Sequence, residues 1–196
     1  MKKAAKFALI KTIPIFLGYL FLGIAFGLLL QKSGLGVFWA FLISTLVYAG
    51  SMQFALVGIL TGGLSYITTA VMTLFINSRH AFYGLTFIER FKEMRKTYPY
   101  MVFSLTDETY SLLCSMARPA DFTDSEWKAA TFFTAFFDQC YWIAGSVLGA
   151  LMGELITFDT TGIDFAMTAL FVVICVDQWK AAKTHIPAVT GFICGA

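Results

Sequence analysis

Apolar runs at 7–30, 35–60, 64–88, 100–117, 127–152 and 163–179, with another starting in 186–196, leave this chain few ways to fold. A helix needs about 20 apolar residues to cross a hydrocarbon core of about 30 Å. A membrane strand needs only about ten and shows period-two alternation, which none of these runs displays. The expectation is an all-α polytopic membrane helical bundle, a single membrane domain over 1–196. Composition agrees: 58% of residues are hydrophobic and 13% charged, where a soluble domain is about half apolar and about a quarter charged.

The net charge is +2 and the basic residues lie between apolar runs, so a nucleic-acid partner has no electrostatic footprint. Lys2, Lys3 and Lys6 precede an apolar run as in a signal peptide. That run is too long, holds Lys11, and has no small-x-small cleavage site after it, so it reads as a first membrane helix. Cys114, Cys140, Cys175 and Cys194 have neither metal nor disulfide spacing and read as small buried hydrophobes. No metal or cofactor is expected. Catalysis lacks support too, since His80 and His185 are the only histidines and neither HExxH nor a nucleophile elbow occurs.

Charge distribution constrains the path of the chain. Lys2, Lys3, Lys6 and Lys11 place the N-terminus in the cytoplasm, and Arg90, Lys92, Arg95 and Lys96 place the 89–96 connection there as well. Three simple crossings cannot satisfy both. The run 35–60 is the candidate for a broken or re-entrant segment, interrupted at Tyr48-Ala49-Gly50-Ser51-Met52-Gln53; backbone freed at membrane depth is tolerated where protein or a cavity satisfies it. Tyr48, Ser51 and Gln53 would line the break, and a half-helix N-terminus near Gly50 would offer N–H groups to an anion. If 100–117 also returns to the side it entered from, 118–128 is cytoplasmic and 153–162 external. An external N-terminus with plain spans is the alternative. A weak inverted repeat is suggested by Gly23-xxx-Gly27 against Gly145-xxx-Gly149 and by Met52-Gln53-Phe54 against Asp177-Gln178-Trp179. Gly145, Gly149 and Gly153, and Gly58-xxx-Gly62, read as close helix contacts.

Three polar groups stand where hydrocarbon should be. Asn77-Ser78-Arg79-His80 lies inside 64–88, and a central Arg costs about 2.5 to 3.5 kcal/mol on insertion scales. Helical spacing puts Asn77, His80 and Gly84 on one stripe and Arg79 with Tyr83 on the next. Arg79 could grip a carboxylate in bidentate fashion and His80 could titrate; alternatively Arg79 snorkels and His80 caps a carbonyl. Asp107 and Glu108 point about 100° apart on a helix, so they serve different partners: Arg79, a substrate ammonium, or a helix N-terminus near the interface. Asp138 falls near mid-bilayer, as a proton-coupling carboxylate or as a structural partner of Arg79 or His80.

Pro14 ahead of Gly18, Gly23 and Gly27, then Tyr48-Ala49-Gly50-Ser51-Met52-Gln53-Phe54, Asn77 to Gly84 and Leu105 to Tyr110, taken in that order, resemble the AzlC family of bacterial inner-membrane proteins. The resemblance implies the large subunit of a multi-pass secondary transporter that exports branched-chain or similar apolar amino acids. It also implies a small AzlD-like membrane subunit as partner, and drive from a potential or proton gradient. No Walker motif is present. Such relatives continue through about two more short helices past the point matching Ala196, so either a truncated or an unusually short chain is expected, with a C-terminus incomplete relative to the family. The zwitterion's carboxylate would meet Arg79 or the N–H groups near Gly50 and Ser51, and its ammonium Asp107, Glu108 or Asp138. The contrasting expectation is an assembly subunit whose polar groups only hold helices together.

Overall fold

A computed structural model describes residues 1–155 continuously and scattered positions between 165 and 193. Most of the runs expected at 163–179 and 186–196 therefore lies outside the described residues, as do Cys175, Asp177, Gln178 and Cys194. The chain divides into two compact units, Met1–Asp159 and Thr160–Ala196. The first holds seven α-helices, and no strand occurs among the described residues.

Helix α1 (Lys2–Lys32) and helix α7 (Asp124–Leu155) form the spine. Small residues let them touch backbone to backbone: a Cβ added at Gly27 would lie 2.1 Å from the Ser146 carbonyl oxygen, and one at Gly149 would lie 2.2 Å from that of Ile24. Such close approach favours dispersion and Cα–H···O contacts. Contacts advance together along both helices, from Phe7 with Trp127 to Gly23 with Gly145 and Gln31 with Gly153. The two therefore run parallel. An in-plane two-fold would make its equivalents antiparallel, so the glycine match between them is a packing seam and not an inverted pair.

The expected break in 35–60 is present. Helix α2 (Val37–Leu46) and helix α3 (Gly50–Gly62) are separated by Val47, Tyr48 and Ala49. Helix α2 leaves Gly36, beside Gln31, and reaches Thr45, whose carbonyl accepts from the Gln139 amide; α3 turns back from Gly50 against Trp142 to Phe54 against Phe26. Both ends of this hairpin thus lie at the same end of the spine. Tyr48 turns the chain at φ +38°, a left-handed conformation that costs a non-glycine residue about 1–2 kcal/mol, and burial of its ring holds it there.

Gly63, at φ +60°, ends α3, and the Ser65 hydroxyl caps helix α4 (Tyr66–Lys92) by accepting from the Thr68 amide. Helix α4 returns to the end where α1 begins. A 3₁₀ turn at Arg95–Thr97 leads into helix α5 (Tyr98–Phe103), and Ser104, Leu105 and Thr106 separate it from helix α6 (Asp107–Ser115). This hairpin enters from the opposite end to the first. Tyr100 bonds to Gln139 on the way in, and on the way out Leu113 meets Arg90. An inverted relation does run through the described residues, between α1–α2–α3 and α4–α5–α6.

Charges expected on one side gather at one end. Lys3 pairs with Asp121 at 2.8 Å, Lys128 with Glu93 at 3.1 Å, and Arg118 with Asp124. By length and composition α1 alone among the described helices is apolar enough to cross a membrane. Helices α4 and α7 are 27 and 32 residues long but carry Asn77, Arg79 and His80, or Asp138 and Gln139, in mid-course.

Two packing expectations are corrected. Gly58 and Gly62 meet no close neighbour across a helix, since that side of α3 faces outward. Cys114 and Cys140 are exposed, because they sit on the faces of α6 and α7 turned away from the spine.

Candidate functional site between two helix tips

Both hairpin tips end in the N-terminus of a half-helix, α3 at Gly50 and α6 at Asp107, and both meet Arg79 at the middle of α4. The Arg79 guanidinium reaches Asp107 Oδ2 at 2.8 Å through Nη1 and donates to Ser51 Oγ at 2.7 Å through Nη2. One cation thus clamps two tips that arrive from opposite ends. Asp107 also sits in the first turn of α6, where the unpaired N–H groups favour a negative charge. The Arg79 and Asp107 side chains keep 28% and 25% of their exposure, so the clamp is reachable from outside the packed interior.

Polar capacity here exceeds what the chain satisfies. Tyr48 Oη, Asn77 Oδ1, Arg79 Nε, Ser104 Oγ, Asp107 Oδ1 and Asp138 Oδ1 are buried without a hydrogen-bond partner; among the described residues Gln31 Oε1, at the far end, is the only other such atom. A buried polar atom left unpaired costs about 1–3 kcal/mol. Two of these atoms, Arg79 Nε and Asp107 Oδ1, belong to the clamp itself, and Asn77 lies two residues before Arg79 on α4.

The expected residues separate into two groups. Tyr48, Gly50, Ser51, Arg79 and Asp107 converge on the tips. His80 and Tyr83 lie one step along α4, with His80 Nδ1 3.3 Å from the Asn77 carbonyl and the two rings edge to face; Tyr83 stacks on Tyr110. Glu108 diverges from Asp107, as adjacent helical residues must, and accepts from the Tyr19 hydroxyl at 2.7 Å. Gln53 does not face Arg79: its amide donates to Ser44 and accepts from the Trp142 indole at 2.8 Å, pinning α3 to α2 and α7. Asp138 pairs with neither Arg79 nor His80, because α6 stands between; Thr109 donates to it at 2.8 Å.

The sequence profile of the family described as "AzlC protein" matches residues 14–156. The chain belongs to the AzlC family. The "Branched-chain amino acid transport protein AzlC" of Bacillus subtilis strain 168 is 37% identical over 180 residues, covering 92% of this chain and 70% of that protein. An "Uncharacterized membrane protein" of Helicobacter pylori strain J99 is 37% identical over 183 residues, covering 93% of this chain and 79% of the relative. The "Inner membrane protein YgaZ" of Escherichia coli K12 is 26% identical over 146 residues, covering 73% of this chain and 58% of the relative. No solved structure matches. This AzlC-family chain is accordingly a membrane protein, and the Bacillus subtilis relative carries transport in its name.

Sequence reasoning missed Tyr19, Ser104, Thr106 and Thr109, which complete the polar centre. Tyr19 is a lone hydroxyl in a glycine-rich helix, while Thr106 and Thr109 flank the more conspicuous Asp107 and Glu108. The unusual density of hydroxyls from Ser104 to Thr109 is the signal that pointed to them.

Proposed function

We propose that this chain is the transport subunit of a secondary transporter that exports branched-chain or similar apolar amino acids across the bacterial inner membrane, together with a small AzlD-like subunit. The observation that carries the reading is the Arg79 clamp between two half-helix N-termini. Discontinuous helices whose N-terminal ends converge near the midplane are how many transporters hold an anionic substrate group. The α2–α3 and α5–α6 hairpins are re-entrant from opposite faces, α1, α4 and α7 cross, and the charged end lies in the cytoplasm.

The clamp suggests how a zwitterion is handled. Its carboxylate takes the place of Asp107 on the Arg79 fork, where bidentate geometry favours it. Its ammonium then meets the released Asp107, so no charge is stranded. Phe103 and Tyr83, beside the tips, receive the aliphatic side chain. Each substrate that binds loosens the bond between the two hairpins, and that supplies the link between occupancy and opening.

Cells expressing the chain with its small partner should lose leucine, isoleucine and valine efflux on Arg79→Ala, with the protein still folded in the membrane. Unchanged efflux would sink the role of Arg79. An assembly subunit is the second reading, favoured by the fact that Asp107 already pairs with Arg79 within the chain. Reconstitution of each subunit alone and of both together separates the two.

A further inference from the structure

Behind the clamp, two carboxylates are joined by three hydroxyls. The Tyr19 hydroxyl contacts Glu108 Oε2 at 2.7 Å and Thr106 Oγ1 at 2.7 Å; Thr106 Oγ1 lies 3.1 Å from Thr109 Oγ1, which lies 2.8 Å from Asp138 Oδ2. The chain has four links. Each hydroxyl carries one hydrogen, and an ionised carboxylate carries none. With both acids ionised, three hydrogens must serve four links, and one link sets two lone pairs against each other. With one extra proton all four are satisfied, in either direction. Both acids protonated would supply five hydrogens and again leave one link frustrated.

We propose that Glu108 and Asp138 hold one proton between them, passed along the hydroxyls of Tyr19, Thr106 and Thr109. Starting from protonated Glu108, Thr109 gives its hydrogen to Asp138 and takes that of Thr106. Thr106 takes the hydrogen of Tyr19, and Tyr19 takes that of Glu108. Four O–H bonds break and four form; every hydroxyl ends as it began, and the proton has moved from one acid to the other. Half-buried Glu108 is the entry. Asp138, with no exposed surface, is the store.

Among the described residues, the charged groups that face the pair are engaged with each other. The ionisable groups facing Glu108 are Asp107 on its own helix, already paired, and Arg79 on α4, which Asp107 holds. Tyr48 at the first tip faces both acids, Tyr83 on α4 faces Glu108, and Tyr100 on α5 faces Asp138. His80 on α4 faces Asp107 and Arg79. The relay adjoins the clamp through the Asp107–Glu108 peptide, so its role as the coupling proton of export rests on the function proposed above, while its existence does not.

Infrared spectroscopy of the purified chain in lipid nanodiscs tests it without any substrate. Wild type should show one protonated carboxylic carbonyl per molecule near neutral pH. Glu108→Gln and Asp138→Asn should each abolish it, because the new amide donates into the chain and leaves the other acid ionised. In a Thr109→Val background the wire is cut, and the same two substitutions should act independently. A carbonyl signal that survives either single substitution overturns the shared proton, as does a wild-type signal of zero or two. The wild-type count decides the matter even where a variant does not fold. A single shared proton in a chain that exports no amino acid would refute the transport reading and leave the relay standing.

Discussion

If Arg79 is a clamp, Arg79 and Asp107 must depend on each other energetically. Opposite unit charges about 4 Å apart attract by about 4 kcal/mol at an effective dielectric of about 20. A quarter of each side chain remains exposed, and part of the attraction offsets desolvation, so about 2 kcal/mol of coupling should remain. Asp107→Asn should then cost about 2 kcal/mol. Arg79→Gln should cost about 3, since it also loses the bond to Ser51, worth about 1 kcal/mol or slightly more. The double variant should cost about 3 as well. The measurement is reversible unfolding of the purified chain by a denaturing detergent titrated into mild-detergent micelles, for all four proteins. Energies of the two single variants that add to within about 0.5 kcal/mol would show that the groups do not interact, and the clamp would be refuted.

Gly149→Ala should separate the spine, because its new Cβ would meet the Ile24 carbonyl at 2.2 Å with rigid backbone on both sides; a loss of about 3 kcal/mol should show as a fall in folded yield by size-exclusion chromatography, and normal yield would refute the seam. Outside the helical interior, the Lys3 hydrogen bond holds the Asp121 carboxyl below its ordinary 3.8. A lowered folded-state value means that this contribution is present above about pH 4 and fades as the pH falls through the lowered value. Asp121→Asn should therefore flatten the acid side of the stability curve measured by thermal unfolding, and an unchanged slope would contradict the pairing.

The sequence marked the elements better than it marked their partners. Apolar length located α1, α4 and α7 to within a few residues, and the charge conflict between Lys2–Lys11 and Arg90–Lys96 located the break at Tyr48. These features are local, or follow from counting crossings. Gln53 was expected at the break beside Ser51; two residues along a helix turn a side chain about 200°, and its amide meets Ser44 and Trp142. Asp138 was read as a proton-coupling carboxylate or as a partner of Arg79 or His80; its hydrogen-bond partner is Thr109, because position along a helix does not specify azimuth. The inverted relation was hidden because its halves share a path and not a sequence, while the glycines that do resemble each other repeat for a packing reason.

The parallel seam also sets an order of events during synthesis. Thr12 and Tyr141, hydrogen-bonded across it, are 129 residues apart in the chain. At about 5–20 residues per second, α1 waits roughly 6–25 s for the helix that will cover its glycine face. Both hairpins and Arg79 are made during that wait. A nascent chain stalled before α7 would hold its polar tips without the wall that carries Trp142, Gln139 and Asp138, so such intermediates are the form in which membrane quality control would first meet this protein.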